Sequence, residues 1–259
     1  MYKRIVVKVG THLITDEKGI RKAFLKSFAR QIASLYKKGR EVIVVTSGAV
    51  GCGLKKLKMK KKALTLSEKQ AVAAIGQIEL MNEYKMLFQA EGLSTAQLLL
   101  THDDVKDKVR NTNACNTIGK LLKWKVVPVI NENDTVATQE LKLGDNDKLA
   151  GIVGGMMKVD AVIILTSVDG VYDKNPHAHK DAKLITYIAD VDKAMTQVNT
   201  EGKTELGTGG MLSKMEIGRY LNNIGIPLII ANGTKKNVLA RIAEGHNEGT
   251  LISPKKRKS

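Results

Sequence analysis

Short runs of β-branched and aliphatic residues recur along this 259-residue chain, separated by longer stretches with helical spacing. That alternation constrains the fold more than any other feature. Residues 5–9, 42–45, 95–100, 126–130, 161–165 and 226–230 read as strands, with a last strand near Leu251. Several are continuous apolar runs, as strands covered on both faces are. Residues 22–38 carry Ala23, Leu25, Phe28, Ile32, Leu35 and Tyr36 at helical spacing and stop at Gly39, a natural helix end. Residues 67–90 predict a long helix with Ser67 as N-cap and Gly92 as stop, and 111–123 and 146–157 predict two more. The glycine turn 207–210 opens a helix through Asn223, and a short helix follows Thr234. Residues 47–53 read as a small-residue turn and 169–183 as a polar stretch. The pattern predicts one α/β domain over 1–259, a three-layer αβα sandwich on a mostly parallel sheet.

Composition narrows the class. At 43% hydrophobic residues there is enough apolar material for a core, which excludes global disorder. Aromatics are only 4%, with Trp124 the single tryptophan, so a base-stacking surface is poorly supplied. The net charge of +16 points to an anionic partner. Much of it lies in two runs, Lys55, Lys56, Lys58, Lys60, Lys61, Lys62 and Lys255, Lys256, Arg257, Lys258, which read as solvated segments. With no recognised reading motif, a specific nucleic-acid-binding role is disfavoured. Cys52 and Cys115 belong to no CxxC or Cys/His cluster, which argues against structural zinc and disulfides and fits a reducing cytoplasm. Neither a signal peptide nor an apolar run of the ~20 residues that span a bilayer is seen, so a cytoplasmic protein without membrane contact is expected.

Ligands of open α/β sheets collect beyond the carboxyl ends of the strands. There the sequence places Lys8, Gly10 and Thr11; Ser47; Asn131, Asn133 and Asp134; and Thr166 with Ser167. Lys8 is the most informative, because lysine inside an apolar strand needs a partner. Either the strand lies at an edge with Lys8 in solvent, or a cation is held at a strand end for an anionic ligand, which Gly10 lets approach closely. Thr208, Gly209, Gly210, Met211, Leu212, Ser213 and Lys214 form a second candidate anion cradle at a helix start, with simple helix entry as the plainer reading. It matches neither GxxxxGK[ST] nor GxGxxG, so neither a P-loop nor a classical dinucleotide site is indicated. Gly144-Asp145-Asn146-Asp147 puts two carboxylates at another helix start, where either they simply cap the helix or one caps while the other orients cations or binds an amino group. The histidines form no metal spacing, no metal-binding residues are assigned, and Met81, Met86 and Leu87 read as packing.

Together Val7–Thr11, Val45–Val50, Lys69–Gln77, Ile130–Asp134, Gly144–Asp147, Leu165-Thr166 and Thr208–Met211 with Lys214 resemble the amino acid kinase family over nearly the whole chain. The Asn131–Asp134 and Gly144–Asp147 segments resemble its glutamate-phosphorylating branch, in a form without the C-terminal PUA domain many relatives carry. The resemblance implies transfer of phosphate from ATP, accompanied by Mg²⁺, to the γ-carboxylate of L-glutamate, the first step toward proline. Catalysis would fall to Lys8, Lys214 and Asp147, with Asp147 holding the two lysines. Substrate binding would fall to Ser47, Asp134, Asn146 and Asn131. Nucleotide binding would fall to Lys8, Gly10, Thr166, Ser167 and 208–214. Residues 1–150 would form the amino-acid lobe and 151–259 the nucleotide lobe. Proline would act as feedback inhibitor, a glutamyl-phosphate reductase would be a possible partner, and the enzyme would be a homo-oligomer. Ser167 departs from the aspartate many relatives have there. The rival enzyme is another member of the same family, acting on acetylglutamate, aspartate or carbamate.

Overall fold

A computed structural model of the chain describes residues 2–17, 19–59, 64–136, 146–176, 178–200 and 210–255. In chain order the elements are β1 (Arg4–Val9), α1 (Thr11–Ile14), β2 (Thr15–Asp16), β3 (Gly19–Ile20), α2 (Lys22–Lys37), β4 (Glu41–Val45), α3 (Ala49–Lys56), α4 (Leu66–Ala90), β5 (Ser94–Leu100), α5 (His102–Lys106), α6 (Lys108–Lys123), β6 (Val126–Glu132), α7 (Asn146–Met156), β7 (Ala161–Thr166), β8 (Val171–Tyr172), β9 (Leu184–Ile185), β10 (Tyr187–Ile188), α8 (Val191–Thr200), α9 (Gly210–Ile224), β11 (Leu228–Asn232), α10 (Val238–Ala243) and β12 (Thr250–Ile252).

Eight strands form one sheet in the order β10-β12-β11-β7-β1-β4-β6-β5. Its neighbours pair in parallel except β11 with β12. Alternate residues of β1 feed two cores, as a two-residue period requires. Ile5, Val7 and Val9 pack with α2, α4 and α10; Val6 faces α6, α7 and α9. The result is the expected αβα sandwich. β1 lies at the centre of the sheet, so the edge-strand alternative for Lys8 falls.

The structure differs from the sequence reading in several places. Residues 47–53 are not a turn throughout, because α3 starts at Ala49. The glycines let α3 press against α4: a Cβ on Gly53 would lie 1.9 Å from the Val72 carbonyl oxygen, and one on Gly76 1.8 Å from that of Ala49. The long helix is capped by Thr65 rather than Ser67, through a reciprocal capping box with Glu68. α6 starts at Lys108, capped by Asp107, and α5 precedes it. The polar stretch 169–183 holds β8, which pairs with β9 in a two-stranded antiparallel sheet. Met81 and Leu87 do pack on the core, whereas Met86 is 54% exposed. Lys60, Lys61, Lys62, Lys256, Arg257 and Lys258 lie outside the described residues, as do Gly144, Asp145 and the turn 207–209.

Candidate active site

Four neighbouring strands, β7, β1, β4 and β6, end on the same side of the sheet and deliver the polar residues. β1 carries Lys8 between Val45 of β4 and Ile164 of β7. Its side chain is nearly buried, and a buried ammonium requires a counter-charge. Asp147, in the first turn of α7, supplies it: Lys8 Nζ lies 2.7 Å from Oδ1. Lys214 Nζ, from the first turns of α9, donates to the other oxygen, Oδ2, at 2.9 Å. One carboxylate therefore bridges two cations that are 206 residues apart in sequence (214 − 8). Burial pushes the Asp147 carboxyl up, but the two ammonium groups outweigh it and hold it below the usual carboxylate range. The first turn of a helix favours the same anion. Packing of α7 on α9 sets this geometry: a Cβ on Gly151 would lie 2.1 Å from the Ile217 side chain.

Beside the triad lies a second buried cluster. The β4 strand ends at Val45, and Gly48, at φ 99°, turns the chain into α3 in a conformation glycine adopts freely. Ser47 is left in that turn, where its Oγ accepts a 3.1 Å hydrogen bond from Asn146 Nδ2. Asn131 follows Ile130, which is in register with Val45, so Asn131 and Ser47 stand on adjacent strand ends. Its Nδ2 donates to Gln77 Oε1 of α4 at 2.8 Å. The carbonyl oxygens Oδ1 of Asn131 and Asn146 are buried without partners among the described residues. Asp134 follows on the turn after β6, and burial alone pushes its carboxyl up to about 6.

On the nucleotide side, Gly10 fits tightly against β7: its N–H donates to Leu165 O at 3.0 Å, and a Cβ would lie 3.1 Å from that oxygen. Thr166 ends β7 half-buried, Ser167 is exposed, and Asp169 beyond them accepts from Asn232 Nδ2 at 2.9 Å and pairs with Lys235 at 3.3 Å. Met211, Leu212, Ser213 and Lys214 lie in the opening turns of α9, whose first residue is Gly210. Thr208 and Gly209 fall outside the described residues. Thus Lys8, Asp147 and Lys214 come together, and Ser47 with Asn146, an arrangement that the resemblance, and not the spacing in the sequence, implied. Sequence reasoning gave no role to Gln77 or to Asp169. A glutamine within the apolar stripe of a buried helix was the available signal for the first.

A strand-end lysine and a distant helix-borne lysine thus share one carboxylate at the carboxyl end of this sheet. The chain belongs to the amino acid kinase family, whose sequence profile matches residues 3–232. Within that family it belongs with the glutamate 5-kinases. It is 47% identical to the glutamate 5-kinase of Caldanaerobacter subterraneus subsp. tengcongensis over 98% of this chain and 68% of the relative. It is 39% identical to that of Alkaliphilus metalliredigens over 96% of this chain and 95% of the relative. Solved structures share the fold. An isopentenyl phosphate kinase has a TM-score of 0.68 at 19% identity, covering 96% of this chain and 99% of that one. A UMP kinase from Bacillus anthracis has a TM-score of 0.68 at 17% identity, covering 98% and 97%.

Proposed function

We propose that this kinase transfers the γ-phosphoryl group of ATP to the γ-carboxylate of L-glutamate, giving L-glutamyl 5-phosphate and ADP, the first step toward proline. The observation that carries the reading is the Lys8–Asp147–Lys214 bridge beside the Asn146–Ser47 pair. A side-chain carboxylate with a pKa of ~4.3 is already ionised at neutral pH, so the acceptor needs no general base. The barrier lies in bringing two anions together in line and stabilising charge on the phosphoryl oxygens. Lys8 and Lys214 neutralise that charge, and Asp147 keeps both ammonium groups aimed before the substrates arrive. Ser47, Asn146, Asn131 and Asp134 bind glutamate, the last as partner of its α-ammonium. Gly10, Thr166, Ser167 and 208–214 cradle ATP. Asp147 is engaged by both lysines, so Mg²⁺ would be brought with ATP as part of the substrate and would supply further charge neutralisation there. Residues 1–150 form the amino-acid lobe and 151–259 the nucleotide lobe.

The product is a labile acyl phosphate, so a reductase is its consumer. Proline, the end product, inhibits at or beside the glutamate site, and the enzyme works as a homo-oligomer in the cytoplasm. The deciding experiment is a panel of glutamate, N-acetylglutamate, aspartate, carbamate and uridylate with ATP and Mg²⁺. Glutamate should be turned over fastest; faster turnover of any other member of the panel overturns the reading.

A further inference from the structure

α4 buries a stripe of Val72, Ala73, Gly76, Gln77, Leu80, Tyr84 and Phe88, in which Gln77 is the one amide. An amide in such a stripe costs free energy unless both ends are paired. Gln77 pairs both. Its Nε2 donates to Gln97 Oε1 on β5 at 3.3 Å, and its Oε1 accepts from Asn131 Nδ2 at 2.8 Å. The three amides form a directed chain, since an amide oxygen only accepts and an amide nitrogen only donates. With Gln97 accepting at one end, Asn131 gives its nitrogen at the other. Its oxygen is left buried and, among the described residues, without a partner, in a residue 1% exposed. The Asn146 amide is committed the same way, with its nitrogen to Ser47 and its oxygen unpartnered among the described residues. Both vacancies are therefore acceptors, which call for a ligand rich in N–H donors. An ammonium group has three.

We infer that Gln77, backed by Gln97, is a positioning residue that fixes the Asn131 amide with its oxygen available to the substrate's α-ammonium, and so sets the preference for amino acids over plain dicarboxylates. The inference rests on the reading that Asn131 belongs to the glutamate site. Without the acceptor at Gln77, the Asn131 amide can turn its nitrogen toward the ammonium and repel it.

The test compares glutamate with glutarate, which has the same reacting carboxylate and no ammonium, in the full-length enzyme with ATP. Gln77→Met keeps the volume and removes both hydrogen bonds. It should raise the glutamate KM about 10- to 100-fold, the loss of one hydrogen bond to a charged group. The ATP KM and the kcat/KM for glutarate should stay within about 3-fold of the wild type, since neither involves the ammonium. Gln77→Glu keeps the acceptor for Asn131 and should restore the glutamate KM to within about 3-fold. Should the buried variants fail to fold, exposed Gln97 serves: Gln97→Lys removes the acceptor that orients Gln77 and should raise the glutamate KM, while Gln97→Glu keeps it and should not. An unchanged glutamate KM in folded Gln77→Met, an equal loss for glutamate and glutarate, or no difference between Gln97→Lys and Gln97→Glu overturns the inference. A wild-type enzyme that leaves glutamate untouched overturns the functional reading and the inference with it; one that phosphorylates glutamate while the variants behave alike overturns the inference alone.

Discussion

Two carboxylates of this site sit in opposite environments, and each gives a prediction. Asp147 lies between Lys8 and Lys214 and is held below the usual range; Asp134 has burial but no cation and is pushed up to about 6. Two ammonium groups about 4 Å apart repel by about 4 kcal/mol at an effective dielectric of about 20, and a carboxylate between them offsets that repulsion. Asp147→Asn keeps the shape and removes the charge. Turnover should fall about 10²–10³-fold, with a smaller change in the KM for glutamate or ATP, measured by steady-state kinetics. Near-normal turnover would reduce Asp147 to a binding residue. For Asp134 the sign runs the other way. Its pKa in the folded, unliganded enzyme is raised from 3.8 to about 6, so below that pH the free site holds a proton. In the proposed function a substrate ammonium pairs with the ionised form. The glutamate KM should therefore rise as pH falls from 7 to 5, by at most about 10-fold per unit below 6, while the glutamate carboxylate stays ionised. Asp134→Asn should raise the KM and flatten that profile. Lys8 was legible at this scale because a charge inside an apolar strand is costly. The bridging role of Asp147 came from resemblance, since nothing in the sequence spacing brings residues 8, 147 and 214 together.

Helices and strands were legible wherever a run of several residues repeats one period. β1, β4, β7 and α2 lie within a residue of the pattern's bounds. The miss at α3 has a packing cause: the sequence shows a helix's own period but not what it packs against. α3 looked like a turn because Gly51 and Gly53 weaken helix propensity, by about 1 kcal/mol each relative to alanine in a helix interior. Contact with α4 overrides that preference, and the glycines are what make the contact possible. A Cβ on Gly76 would lie 1.8 Å from the Ala49 carbonyl oxygen and 2.4 Å from the Gly53 nitrogen, both backbone atoms unable to step aside. Gly76→Ala should therefore cost about 3 kcal/mol or more, a fall in Tm of roughly 6–12 °C by calorimetry. Because α3 follows directly on Ser47, the glutamate KM should rise as well. Gly119 of α6 is the control, since no heavy atom lies within 4 Å of its added Cβ among the described residues. Gly119→Ala should stabilise by about 0.5–1 kcal/mol. Equal effects at the two positions would remove the close approach of α3 and α4 from the account.

At the scale of the whole molecule, the sheet has two unlike flanks. One ends in the two-residue β10; the other ends in β5, seven residues long and paired on one side only. A strand edge of that length is a surface that proteins cover or blunt. α4 packs beside β5 and is apolar on more than its buried stripe: Ile78 is 64% exposed and Met86 54%. These two are eight residues apart, on one helical face, and the inner face is already filled by Val72, Leu80, Tyr84 and Phe88. An outward apolar face next to an unpaired strand is where a second copy of the chain would bury surface, by the isologous contact that most homodimers use. The chain's +16 charge opposes this at long range, but at about 0.15 M salt charges more than ~8 Å apart are largely screened. Light scattering at micromolar concentration should thus give a multiple of 28.3 kDa, more firmly in 0.15 M salt than in 0.01 M. Ile78→Glu places a carboxylate on the outward face, away from Asn131 and Lys8. It should shift the population to monomer while the folded monomer keeps its Lys8–Asp147–Lys214 bridge. A wild-type mass of one chain at both salt concentrations, or an Ile78→Glu protein that associates like the parent, would show that this face is solvated and that the site needs no second copy.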